Sequence, residues 1–90
     1  MPRGRFPAMI SEHIGGVSAA DVPGDTVLEA VQALCERFPA LDGLIWDAPG
    51  RINDFLVFFV NNQDVRDLRG LDTPLGAEDE VTIVGAAEGG

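Results

Sequence analysis

The segment from Gly24 to Pro39 restricts the possible folds more than any other. Thr26-Val27-Leu28-Glu29 has the form of a capping box: a threonine hydroxyl satisfies first-turn amides and a glutamate three residues on reaches back. Val27, Val31, Leu34 and Phe38 then recur on one helical face, and Leu28 and Cys35 widen it. Pro39 lacks an amide hydrogen and ends the run. The spacing therefore predicts one amphipathic helix over residues 26–38. Such a helix must cover its apolar stripe. A 90-residue chain hides only about 60–65% of its unfolded surface on folding, which leaves room for one compact core. Packing the helix on one face of a small mixed sheet is the economical solution, an α+β arrangement.

The sheet is visible in pieces. Phe55-Leu56-Val57-Phe58-Phe59-Val60 is apolar throughout and rich in residues that favour strands. Asn61-Asn62-Gln63-Asp64 ends it as a turn. Val81-Thr82-Ile83-Val84 is a second strand, entered through the acidic turn Gly76-Ala77-Glu78-Asp79-Glu80. Residues 17–22 read as a weaker strand before the helix. The first residues should add another, although Pro2, Gly4 and Pro7 weaken it. Residues 41–53, with Trp46, Pro49 and Gly50, read as a loop holding one apolar anchor. Residues 61–80 read as turns with a short extended piece.

Charge and residue usage remove several functions. Six basic residues stand against fifteen acidic ones, a formal charge of −9, which argues against nucleic acid or an anionic membrane as partner. Every basic residue is an arginine, so neither Schiff-base chemistry nor a phosphate-loop lysine is available. With one cysteine, Cys35, and one histidine, His13, an internal disulfide, a thiolate cage and a multi-histidine metal site are excluded, and no metal site is expected. Cys35 on the helix stripe reads as a buried thiol, His13 beside Gly15-Gly16 as a loop residue, and Glu78-Asp79-Glu80 as a solvated turn. Trp46 fits either a loop anchor or a partner contact. No apolar run follows Arg3 and Arg5, and no stretch approaches the roughly 18–20 apolar residues of a membrane span, so a cytoplasmic protein is expected.

The end of the sequence, Gly85-Ala86-Ala87-Glu88-Gly89-Gly90, carries no bulky side chain. It is open to two readings. One is a frayed small-residue terminus. In the other, the terminal carboxylate is the functional group. Adenylation would give it a good leaving group, and a sulfur donor would then displace AMP to leave a thiocarboxylate. Two glycines suit that chemistry because only backbone has to enter a partner's narrow channel.

The run Phe58-Phe59-Val60-Asn61-Asn62-Gln63-Asp64-Val65-Arg66, then Leu71-Asp72-Thr73-Pro74-Leu75, then Asp79-Glu80-Val81-Thr82-Ile83, then Gly89-Gly90 resembles the MoaD/ThiS family of ubiquitin-like sulfur carriers. Gly24-Asp25-Thr26-Val27 fits the same pattern. The resemblance implies a β-grasp fold, a mixed sheet of four to five strands on one main helix. Residues 1–84 would form the domain and residues 85–90 a flexible diglycine tail. It further implies a carrier rather than an enzyme, with no bound cofactor. Gly90, preceded by Gly89, would be adenylated by a ubiquitin-activating-type adenylyltransferase and sulfurtransferase that uses ATP. The resulting thiocarboxylate would donate sulfur to a biosynthetic enzyme for cysteine, molybdenum cofactor, thiamine or a related metabolite. Residues 41–54 look most like the cysteine-pathway carriers and the archaeal-type small modifiers. Alternatives are the small subunit of a molybdopterin-synthase-like complex, a ubiquitin-like protein modifier, and an interaction domain with an inert tail. The chain departs from the family in having Gly85-Ala86-Ala87 where many members are proline-rich, in Glu88 beside the reactive end, and in its poor first strand.

Strand alternation also predicts a partner surface. If Leu56, Phe58 and Val60 face the helix, Phe55, Val57 and Phe59 face outward. Val84 then joins them from the last strand, and by family resemblance so does Leu68. Val57, Phe59, Leu68 and Val84 are the predicted partner-binding residues, an apolar patch on an acidic protein. After Arg69 the chain has acidic residues and no basic one, which would steer docking to a basic partner.

Overall fold

A computed structural model describes residues 1–85 of the chain. The elements follow in the order β1 (Arg3–Arg5), α1 (Ala8–Ser11), β2 (Ala19–Asp21), α2 (Val27–Arg37), α3 (Asp42–Ile45), β3 (Trp46–Ala48), β4 (Arg51–Ile52), β5 (Leu56–Val60), β6 (Gln63–Asp64) and β7 (Glu80–Gly85). Five strands form one mixed sheet in the order β2-β1-β7-β5-β6. The β1/β7 pair is parallel and the other pairs are antiparallel. This is the expected α+β arrangement, with β3 and β4 added as a separate two-stranded hairpin.

The main helix forms where its capping signals place it. Thr26 Oγ1 accepts from the Glu29 amide at 3.2 Å. Glu29 Oε1 accepts from the Asp25 amide at 2.9 Å, one residue earlier than in the ideal box. Val27, Ala30, Val31 and Leu34 lose all contact with solvent, and Cys35 is buried beside them. Phe38 closes the helix, its amide donating to the Leu34 carbonyl at 2.8 Å.

The weak-looking first strand is real and central. It lies between β2 and β7, only three residues long. Gly4 weakens its strand propensity but lets α2 approach: a β-carbon there would stand 2.8 Å from Leu34 Cδ1. The flanking prolines sit outside the ladder, where their missing amide costs nothing. The Pro2 carbonyl accepts from the Val22 amide at 2.9 Å, so it still lends an acceptor to the β2 side.

Two segments differ from expectation. Residues 41–53 are not a loop with one anchor. A 3-10 turn, Pro39–Leu41, leads into α3, and the β3–β4 hairpin follows. Leu41 and Ile45, four residues apart, are both fully buried. Gly43 between them and Pro49-Gly50 after them mask that short helical signal, while Gly50, at φ 74°, occupies the left-handed conformation a tight hairpin turn requires. The second difference is α1 with the 3-10 turn Glu12–Ile14, where no helix was expected. Phe6, Ile10 and Ile14 recur every four residues and are buried. The pattern is too short to stand out, and Pro7 hides its start.

Residues 61–80 contain β6 and two 3-10 turns, Val65–Asp67 and Gly70–Asp72, close to the expected turns and short extended piece. Their end is tied to the start of α2. The Val27 amide donates to the Thr73 carbonyl at 3.0 Å, and the Leu75 amide to the Asp25 carbonyl at 2.9 Å. Thr73 is buried with its hydroxyl satisfied: it donates to the Gly70 carbonyl at 2.7 Å and accepts from the Arg69 amide at 3.1 Å. Among the described residues, no helix is long and apolar enough to cross a membrane.

Candidate functional site

The sheet has two unlike faces, because side chains alternate along each strand. Phe58 and Val60 of β5, with Val81 and Ile83 of β7, are buried against the helix side. Val57 and Phe59 of β5, with Thr82 and Val84 of β7, are half-exposed on the other side. The antiparallel register places Val57 directly opposite Val84, and Phe59 opposite Thr82. Three of the four predicted partner-binding residues therefore stand side by side. Leu68 lies off this ladder. It is 37% exposed, just after the 3-10 turn Val65–Asp67.

The apolar group has a polar border. One row across the outer face runs Arg5, Thr82, Phe59, Asp64, as the three pairings define it. Arg5 Nε donates to both Glu80 carboxylate oxygens, at 2.8 and 3.0 Å, and Arg3 Nε to Asp21 Oδ1 at 3.0 Å. These pairs are exposed and screened by solvent, so each contributes little to stability. At the other border, Asp64 pairs with Arg66 at 2.6 Å. The Arg66 guanidinium, helped by its backbone amide, holds the Asp64 carboxyl below the usual carboxylate range. The face thus combines an apolar centre with a charged rim, the anatomy of a protein-docking surface.

The last described residue, Gly85, pairs with Leu56 at the start of β5. The predicted reactive residues Gly89 and Gly90, together with Glu88, lie outside the described residues. The described residue nearest to them is Gly85, five residues before Gly90. It adjoins the outer-face apolar group, since Val84 immediately precedes Gly85.

Residues 5–90 match the ThiS family. The chain belongs to the ThiS family. The sulfur carrier protein CysO of Mycobacterium tuberculosis is 31% identical over 87 residues, covering 94% of each chain. The crystal structure of M. tuberculosis CysO superimposes with a TM-score of 0.87 at 28% identity, covering 96% of this chain and 99% of that one. A BexX/CysO complex from Amycolatopsis orientalis gives 0.87 at 26%, covering 96% of both chains. The small archaeal modifier protein 1 of Methanosarcina acetivorans gives 0.88 at 23% identity, covering 99% and 95%, a likeness of fold. These neighbours make the sheet-and-helix body a ubiquitin-like β-grasp domain.

The remaining candidates of this ThiS-family chain resolve into structure rather than chemistry. Burial pushes the Cys35 thiol up; Trp46 opposes that shift and the Asp42 carboxylate reinforces it. A protonated, enclosed thiol is a packing element. Trp46 is half-buried and packs against the core at the start of β3, so it serves as an anchor, now of a hairpin. His13 is exposed on the 3-10 turn before Gly15, and Gly15 and Gly16 adopt left-handed turn conformations. Among the described residues, no group of His, Cys, Asp and Glu side chains is placed to hold a metal ion. One exposed residue gains significance only from the fold. Phe55, expected within the strand, stands just before it and is 75% exposed.

Proposed function

We propose that this ThiS-family chain is a sulfur carrier that holds sulfur as a thiocarboxylate on Gly90. The observation that carries this reading is the 31% identity, over 94% of both chains, to proteins named sulfur carriers, in a sequence that ends Gly89-Gly90. The chain itself performs no catalysis. A ubiquitin-activating-type adenylyltransferase supplies ATP, and the Gly90 carboxylate attacks the α-phosphorus and expels pyrophosphate. A sulfur nucleophile from the partner then attacks the acyl-adenylate carbonyl and expels AMP, leaving the thiocarboxylate. A carboxylate oxygen leaves on AMP, and sulfur takes its place.

The body's part is recognition. Val57, Phe59 and Val84 form the docking face, Leu68 stands off their ladder, and the −9 formal charge favours basic partners. The thiocarboxylate then passes sulfur to a biosynthetic enzyme. Cysteine formation is the favoured destination, on the likeness to CysO across nearly the whole chain.

Intact-mass analysis tests the reading. After incubation with the host's adenylyltransferase, ATP and sulfide, the chain should gain the mass of one oxygen-to-sulfur exchange. Deleting Gly90 should abolish the gain. A chain that stays at its original mass, or one that still gains sulfur without Gly90, refutes the assignment.

A further inference from the structure

Phe55 is the most exposed of the chain's large hydrophobic side chains among the described residues, at 75%. An exposed phenylalanine forfeits the burial that would stabilise the fold, so its place is informative. It is held there rather than loosely looped. Its amide donates to Asn53 Oδ1 at 2.8 Å, an Asx turn, and the Leu56 amide donates to the Asn53 carbonyl at 3.0 Å. This turn delivers the chain into β5 with Phe55 one residue before the strand. In the β5/β7 register, Leu56 pairs with Gly85. Phe55 therefore stands one residue from the last described pair of β7.

That position limits what can meet it. Five residues follow Gly85, and five residues of chain reach at most about 18 Å. An enzyme acting on Gly90 must bring its channel mouth within that distance of Gly85, and hence close to Phe55. An aromatic ring offers a large apolar contact at low entropic cost, the profile of an interface anchor. Val57 and Val84, at the next register step, continue the apolar surface from that point.

We infer that Phe55 is an aromatic anchor at the root of the tail, which seats in an apolar pocket on the mouth of the enzyme channel that takes up Gly90. The inference rests on the carrier reading and deepens it. Phe55 acts as a positioning residue: it aligns the body so that the short tail enters the channel, and it takes no part in the chemistry at the carboxylate.

The test is steady-state thiocarboxylation of full-length wild-type and Phe55→Ala carrier by the host's adenylyltransferase, with ATP and sulfide, followed by intact mass. Phe55→Ala should raise the KM for carrier about ten- to hundredfold, the worth of one buried aromatic contact, with the loss carried by KM rather than kcat. Phe55→Trp should restore most of the affinity. Both variants should melt close to wild type, because the ring is exposed in the free protein. If wild type is thiocarboxylated and Phe55→Ala has an unchanged KM, this inference falls and the carrier reading stands. A loss confined to kcat, or a changed self-association of the carrier with KM unchanged, also overturns it. If wild type gains no sulfur, the carrier reading falls first.

Discussion

Gly4 lies beneath Leu34, with room for a hydrogen and none for a methyl: a β-carbon on Gly4 would stand 2.8 Å from Leu34 Cδ1 and 3.2 Å from Cδ2. Leu34 is fully buried, so it has little freedom to retreat. Gly4→Val should therefore destabilise the fold by about 1–3 kcal/mol through overpacking, although valine is the better strand former. Urea unfolding checks this. A Gly4→Val/Leu34→Ala double variant should lose less than the sum of the two single losses, because the new side chain partly fills the space that leucine vacates.

The two faces of β5 should separate stability from docking. Phe58→Ala opens a cavity at a side chain only 2% exposed and should cost about 3–5 kcal/mol. Phe59→Ser, on the half-exposed outer face, should cost much less in urea unfolding. On the carrier reading it should slow adenylyltransferase-dependent thiocarboxylation by about tenfold or more. Equal stability losses at the two neighbours would contradict the alternation on which the docking face depends.

Two carboxylates make the fold sensitive to acid. Asp79 Oδ2 accepts from the Gly76 amide at 2.8 Å and Asp79 Oδ1 from Asn61 Nδ2 at 3.1 Å, which holds this carboxyl below its ordinary range. Asp64 is held down by Arg66. The unfolded chain takes up these protons at a higher pH, near 3.9, than the folded chain does. The stabilisation is thus complete above that value and disappears as pH falls through the lower folded values. Thermal midpoints should drop on going from about pH 6 to about pH 3, and the drop should be shallower in Asp79→Asn.

Cys35 should be a poor nucleophile in the folded protein. Its thiol is buried and pushed up by desolvation, which keeps it protonated at neutral pH. Alkylation by iodoacetamide, followed by mass, should be at least about tenfold slower in native buffer than in urea. Equal rates would show a thiol open to solvent.

The helix and the two long strands were legible because each carries its own local signal. The capping box from Thr26, the stripe ending at Phe38 and the stop at Pro39 need no distant partner to be read. The unbroken apolar run from Leu56 to Val60 likewise marks a strand by residue type alone, although only its Phe58 and Val60 face is buried. The helix at Ala8–Ser11 and the α3–hairpin segment carried too few periods for such a reading. Each spans about one turn, and their buried residues Ile10, Leu41 and Ile45 have meaning only once a core exists to receive them.

The site divides in the same way. Local chemistry along the chain settles the diglycine ending, the absence of lysine, the acidic balance and the alternation of β5, since each is a matter of residue type and order. Register and proximity come from pairing between segments far apart in the chain. These place Val57 against Val84, set Leu68 off the ladder, admit Gly4 beneath Leu34 and stand Phe55 next to the Leu56–Gly85 pair. Hydrogen-bond partners across a sheet are chosen by how the whole core closes, and no single strand carries that information within itself.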